Sequence, residues 1–170
     1  MVDGKLSEPG KFKAAILVAS DRSHTGIRPD KTGPLLRNRL ADLGYDIVFL
    51  KIVPDDKEII KSTLEKWVFN DAINLIIITG GTGLAPTDVT PEATSEIIEK
   101  RIPGMEEAMR RVSLEKTKYA MLSRGVVGTV DKSLIVNLPG SPAGALENLA
   151  VIEPALEHAL RLIIGEHPDP

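Results

Sequence analysis

The sequence predicts an α/β protein, a three-layer sandwich with a mostly parallel central sheet and helices on both faces. Short apolar runs, among them Ala14 to Ala19 and Leu75 to Ile78, alternate with segments of helical period. The runs are apolar on both faces, as in a sheet covered on both sides. One of them ends in Thr79-Gly80-Gly81-Thr82-Gly83, a glycine turn of the kind that brings a ligand against the backbone. In sheets of this class ligands bind beyond the carboxyl ends of the strands.

Taken in order, Ala14 to Ala19 is the first strand. Ser20 to Lys31 is polar, contains Gly26 and Pro29, and reads as a loop. A helix follows over Pro34 to Leu43, capped by Thr32 or Gly33 and stopped by Gly44. Tyr45 to Val53 is the second strand. Asp55 to Val68 reads as a helix with Ile59, Ile60, Leu64, Trp67 and Val68 on its apolar face. Leu75 to Ile78 is the third strand. Thr90 is expected to cap the next helix, with Pro91 at its first position. Met105 to Lys116 is a further helix. Gly125 to Val130 and Ser133 to Leu138 are two strands joined at Asp131-Lys132. Ser141-Pro142 opens a helix to about Leu149, and a last one covers Pro154 to Ile164, stopped by Gly165. One domain is expected over 12–165, with flexible tails at 1–11 and 166–170.

Composition excludes several classes. The 170 residues suit one domain with a sizeable core. A net charge of −3 does not favour a nucleic-acid partner. The absence of cysteine removes thiolate nucleophiles and cysteine-held zinc, and fits a reducing, cytoplasmic setting. No apolar run approaches the roughly 18 residues of a membrane span, and the first residues do not form a signal peptide. His24, His158 and His167 share no ligand spacing. The lack of glutamine and the 12 prolines are features of heat-tolerant proteins.

The glycine loop, Thr79 to Gly83, reads either as a tight strand-to-helix turn or as an anion site. Successive free N–H groups in such a turn form an anion-binding concavity. It lacks the Gly-Lys-Ser/Thr of a Walker loop, and the last glycine of a dinucleotide fingerprint would fall on Pro86. Asp88 lies just beyond, placed either to hold a metal or to order the helix start. Asp55 stands at a cap position with Glu58 three residues on, as in a capping box. One carboxylate oxygen could cap while the other faces the cleft. Pro139-Gly140-Ser141-Pro142 initiates a helix or forms a second anion site at its N-terminus. Ser20-Asp21-Arg22 and Ser123-Arg124 flank strands, as phosphate contacts or as turns. Arg101, Arg110, Arg111, Lys116 and Lys118 read as a solvated basic face.

These motifs together resemble the molybdenum cofactor biosynthesis family, the Mog/MoaB proteins and the G domains of gephyrin and its plant counterpart. The likeness rests on Thr79-Gly80-Gly81-Thr82-Gly83, on Asp88-Val89-Thr90-Pro91-Glu92-Ala93-Thr94 and on Leu138-Pro139-Gly140-Ser141-Pro142. Val18 to Asp21, Val53-Pro54-Asp55-Asp56, Pro103-Gly104 and Leu122-Ser123-Arg124 also match. It covers residues 13 to 164, and the length fits a stand-alone form. Thr82 argues against the competence-damage-inducible relatives. The resemblance implies a molybdopterin adenylyltransferase, with Asp55 and Asp88 catalytic and holding Mg²⁺ against the phosphates of ATP. The glycine loop would cradle those phosphates. Ser20, Asp21, Ser123 and the Pro139-Gly140-Ser141 turn would shape the pterin and phosphate pockets. Many relatives carry arginine where this chain has Thr87; the resemblance then implies either weaker ATP binding or a charge supplied by Lys31 or Arg124, expected as its replacement. The resemblance further implies a homotrimer or hexamer, a metal-insertion protein as possible partner, and no nucleic-acid or membrane contact. A non-catalytic molybdopterin carrier is the rival reading.

Overall fold

The computed structural model describes residues 12–167; the tail expected at 1–11 and the end of the second, 168–170, lie outside them. Six strands form one sheet in the order β2-β1-β3-β6-β5-β4. They are β1 (Lys13–Ala19), β2 (Asp46–Val53), β3 (Leu75–Thr79), β4 (Lys100–Arg101), β5 (Val127–Val130) and β6 (Ser133–Leu138). The first four in spatial order run parallel. β5 returns antiparallel to β6 through the predicted turn, where Asp131 has a φ of 48°, and the two-residue β4 closes that edge.

Period-two alternation divides β1 between two cores. Ala14, Ile16 and Val18 pack with Leu36, Leu40, Met109, Leu149, Leu156 and Leu160. Ala15, Leu17 and Ala19 pack with Ile60, Leu64, Trp67, Ile76, Ile78 and Ala93. The first core lies under α2 (Thr32–Asp42), α5 (Pro103–Leu114) and α6 (Pro142–Ile163), the second under α3 (Lys57–Glu65) and α4 (Thr90–Ser95). This is the expected three-layer sandwich. Each fully buried Ile or Leu contributes about 2 kcal/mol. β2 departs from the expectation: as the sheet edge it alternates exposed and half-buried residues.

Several boundaries differ, each for a physical reason. A short helix, α1 (Asp21–His24), occupies part of the expected loop, capped by Ser20 Oγ, which accepts from Ser23 N at 3.2 Å. α2 begins at Thr32 because Asp30 Oδ1 accepts from both Thr32 N and Gly33 N at 3.0 Å. Thr90 is the first residue of α4 rather than its cap, and its hydroxyl is buried without a partner among the described residues. α5 starts at Pro103, whose missing N–H costs nothing there. After α3 the chain continues as a π-turn over Lys66–Asn70, where Trp67 stacks on Phe49 at 5.5 Å.

The two expected C-terminal helices are one. α6 runs 22 residues straight through Pro154. Proline removes the donor to the carbonyl of Ala150, but both residues are exposed, so water satisfies that carbonyl. The apolar stripe Leu149, Ile152, Leu156 and Leu160 passes the proline unbroken and stays buried.

The cap of α3 is also corrected. Asp56, not Asp55, is the N-cap, with Oδ1 accepting from Ile59 N at 2.9 Å. Asp56→Ala is therefore expected to cost about 1 kcal/mol of stability with turnover per folded molecule unchanged, as read by thermal melting beside an activity assay.

Candidate active site at the carboxyl edge of the sheet

The parallel register brings four strand ends level. Ala19 pairs Val53, Val18 pairs Thr79, and Thr79 pairs Leu138. The loops leaving them therefore meet on one edge, where the sheet class places ligands.

The glycine loop and the Pro139 turn are fastened to each other. Thr79 Oγ1 donates to Pro139 O at 2.6 Å, and Gly80 N donates to Leu138 O at 3.2 Å. Thr32 Oγ1 donates to Gly140 O at 2.9 Å, tying α2 to the same turn. Gly80 and Gly81 have φ of 95° and 64°, both in the region that favours glycine. A methyl on Gly80 would collide with the carbonyl oxygen of Ala19. A methyl on Gly81 would strike the Thr90 hydroxyl and stand 3.3 Å from Asp55 Oδ1.

Two cavities flank this loop. The first, about 310 Å³, is lined by Ser20, Asp55, Thr79, Gly80, Gly81, Asp88, Gly140 and Ser141 from the predicted set. Ser23, Arg28, Asp30, Lys31 and Thr32 line it as well, from the loop after β1 that includes Lys31, one of the two expected charges, and from Thr32, the expected α2 cap. The second, about 300 Å³, takes the predicted Thr82, Gly83, Ser123 and Pro139. Arg110, Lys116, Tyr119, Leu122 and Asn148 line it as well. Thus Arg110 and Lys116 of the expected solvated face border a cavity instead. The loop is a wall between the two, Thr79 to Gly81 facing one side and Thr82 and Gly83 the other.

Asp21 is placed differently from expectation. It does not line either cavity; its Oδ1 accepts from Asp55 N at 2.9 Å, and Asp21 N donates to Asp55 Oδ2 at 2.9 Å. This reciprocal clasp turns Asp55 away from any capping role. The other oxygen, Asp55 Oδ1, is buried with no hydrogen-bond partner among the described residues. Burial raises the Asp55 pKa above the usual carboxylate range, and the nearby carboxylates of Asp21 and Asp88 add to it, against the lowering effect of the Asp21 N–H. A half-desolvated carboxylate with an orphaned oxygen and acidic neighbours calls for a cation. Asp88 sits in the same cavity, its Oδ2 accepting from Ala85 N at 2.9 Å. Among the described residues no set of three or more acids or histidines is grouped for a metal. A Mg²⁺ ion would need only one or two carboxylates, such as the orphaned Asp55 oxygen and Asp88, with phosphate oxygens and water completing its shell.

The positive charge divides unexpectedly. Arg28 and Lys31 line the first cavity, and among the described residues neither has a carboxylate within ion-pair distance. Arg124, the other cation expected to replace an arginine at position 87, does not line the first cavity and is turned to other partners. Its Nε donates to Gly83 O at 2.7 Å, its Nη2 to Asp88 O at 2.8 Å, and its Nη1 pairs with Glu92. Ser141 Oγ caps α6 by accepting from Gly144 N at 3.2 Å, and Gly140, Ser141 and Pro142 bring the start of that helix to the first cavity. No helix among the described residues is long and apolar enough to cross a membrane.

Comparison with known proteins shows the family. Residues 15–158 match a family described as a probable molybdopterin binding domain. A molybdopterin adenylyltransferase of Helicobacter pylori is 38% identical over 154 residues, covering 89% of this chain and 88% of that one. The molybdenum cofactor synthesis protein cinnamon of Drosophila melanogaster is 40% identical over 149 residues, covering 87% of this chain. The chain spans only 25% of that protein and 23% of a Dictyostelium discoideum gephyrin that it also matches. A crystal structure of the molybdopterin biosynthesis enzyme MoaB from Thermus thermophilus superposes with a TM-score of 0.86 at 45% identity, covering 91% of this chain and 98% of that one.

Proposed function

The chain belongs to the Mog/MoaB family of molybdenum cofactor biosynthesis proteins, built on a molybdopterin-binding domain, and from that premise we propose that it is a molybdopterin adenylyltransferase. It transfers AMP from Mg-ATP to the terminal phosphate of molybdopterin and releases pyrophosphate. The observation that carries this reading is the pair of cavities on either side of one glycine wall, with the unpartnered Asp55 carboxylate in the first.

In this mechanism the first cavity takes ATP. The N–H group of Gly81 and the first turn of α6 face the phosphate oxygens. Arg28 and Lys31 neutralise the triphosphate. The second cavity takes the pterin against Ser123, Pro139 and the apolar Tyr119 and Leu122, with Arg110 and Lys116 near its anionic end. A terminal phosphate oxygen of molybdopterin then attacks the α-phosphorus, and the bond to the bridging oxygen of pyrophosphate breaks. Asp55 and Asp88 would hold Mg²⁺, which withdraws charge from the phosphate oxygens and the leaving group. Asp21 orients Asp55 by the clasp, and the protein contributes positioning and fixed charge more than covalent chemistry.

The test is pyrophosphate release on mixing the protein with molybdopterin, ATP and Mg²⁺, with each component omitted in turn. Release that needs all three, with AMP found on molybdopterin by mass spectrometry, is the expected result. No release beside tight molybdopterin binding would leave a carrier. Lys31→Ala is expected to raise KM for ATP about tenfold, the loss of one charge-assisted hydrogen bond, with kcat changed little. The same reading carries a homotrimer or hexamer, to be measured by analytical ultracentrifugation, that hands its product to a metal-insertion protein.

A further inference from the structure

We infer that Arg124 is a positioning residue: it clamps the glycine wall and Asp88 into one rigid piece, and so sets Asp88 in the first cavity from a segment that lines the second. This inference rests on the adenylyltransferase reading for its kinetic consequence, but the clamp itself is independent of that reading.

Four contacts build the clamp. The Arg124 backbone N donates to Thr82 O at 3.0 Å. The guanidinium spends its remaining reach on Gly83 O, Asp88 O and the Glu92 carboxylate. One residue thus spans the wall, the candidate metal-holding aspartate and the first turn of α4. Between the two anchored carbonyls the loop closes on itself, Asp88 N donating to Ala85 O and Asp88 Oδ2 accepting from Ala85 N, each at 2.9 Å. The neighbouring residue, Ser123, lines the second cavity.

Two of the three guanidinium partners are backbone carbonyls and the third is the Glu92 carboxylate, and that arrangement decides the role. Three acceptors in different directions match the rigid fork of arginine; a lysine ammonium at the end of a flexible stem satisfies one well. The side chains of Arg124 and Glu92 are 35% and 46% exposed, so the ion pair alone adds little stability. Small misplacement of a phosphate-handling group, by contrast, is costly, about 10²-fold per ångström. Loss of Arg124 should therefore register in turnover far more than in melting.

Arg124→Ala and Arg124→Lys are compared with wild type in the pyrophosphate assay. For Arg124→Ala kcat is expected to fall about 10²-fold while KM for ATP stays within about threefold. Millimolar guanidinium, far below denaturing concentration, should restore part of the rate to Arg124→Ala and none to Arg124→Lys. Unchanged kcat overturns the inference. So does a fall in kcat that tracks a large loss in melting temperature and ignores guanidinium. A wild-type protein without turnover refutes the adenylyltransferase reading instead. In that event amide hydrogen exchange decides the clamp: Ala85 and Asp88 N–H groups exchanging faster in Arg124→Ala alone supports it, and equal exchange overturns it.

Discussion

Asp55→Asn is expected to lose about 10²- to 10³-fold in pyrophosphate release and yet to melt at a higher temperature than wild type at neutral pH. The activity loss follows from removing the charge that Asp55 Oδ1 presents without a partner. The stability gain follows from the raised pKa, whose main cause is burial. Because the folded-state value lies above the unfolded one, folding favours the protonated form, and ionised Asp55 costs stability at every pH above its folded value. As pH falls toward the ordinary aspartate range that cost fades, because both states are then protonated. Asparagine removes the charge and its repulsion by Asp21 and Asp88, while its carbonyl oxygen still accepts from Asp21 N. Calorimetry at pH 7 and pH 4 checks the sign: the variant's advantage should be present at the higher pH and shrink at the lower. A variant that is less stable at pH 7 would show that the clasp matters more than the charge. Asp88→Ala is expected to match the activity loss without the stability gain.

Gly80→Ala is expected to be the most damaging single methyl in the chain. Its φ of 95° strains any side chain, and the new Cβ meets the Ala19 carbonyl, a backbone atom that cannot rotate away. Strain and collision together should cost about 2–4 kcal/mol and lower the melting temperature by about 10 °C. Whatever folds should not turn over, because the wall is displaced toward one cavity or the other. Gly44→Ala separates the two causes: its φ is 94°, but a Cβ there meets nothing within 4 Å. It should show the strain cost alone, about 1–2 kcal/mol, with activity retained. Similar melting of the two variants would mean that the Ala19 collision relaxes.

How much of this was legible in the chain depended on whether the deciding contact was local. The strands that became β1 and β3 were legible because their burial on both faces leaves an uninterrupted apolar run. The glycine wall was legible because positive φ selects its residue type. The cap of α3 was not: Asp55 and Asp56 are adjacent, Glu58 favours the first, and only the Asp21 clasp from 34 residues away frees Asp55 for the cavity. Pro154 misled for the opposite reason. Proline usually opens a helix, and nothing local shows that Ala150 faces water. Arg28 and Arg110 carry no motif at all; strand register and helix packing alone bring them to the cavities. Arg124 was legible as a charge but not as a clamp, since two of its three side-chain acceptors are backbone carbonyls and carbonyls leave no mark in a sequence.

The thinness of the glycine wall has a consequence for inhibitor design. Two chambers of about 300 Å³ each are separated by the width of one backbone turn, Gly81 facing one and Thr82 the other. A phosphate-bearing fragment and an aromatic fragment, each weak alone, could be joined by a short tether over that turn. The second fragment then binds at an effective concentration near millimolar, and affinity can rise about 10²- to 10⁴-fold without a new contact. A tether too short to clear the turn would gain nothing, so the dependence of affinity on tether length would gauge the wall in solution.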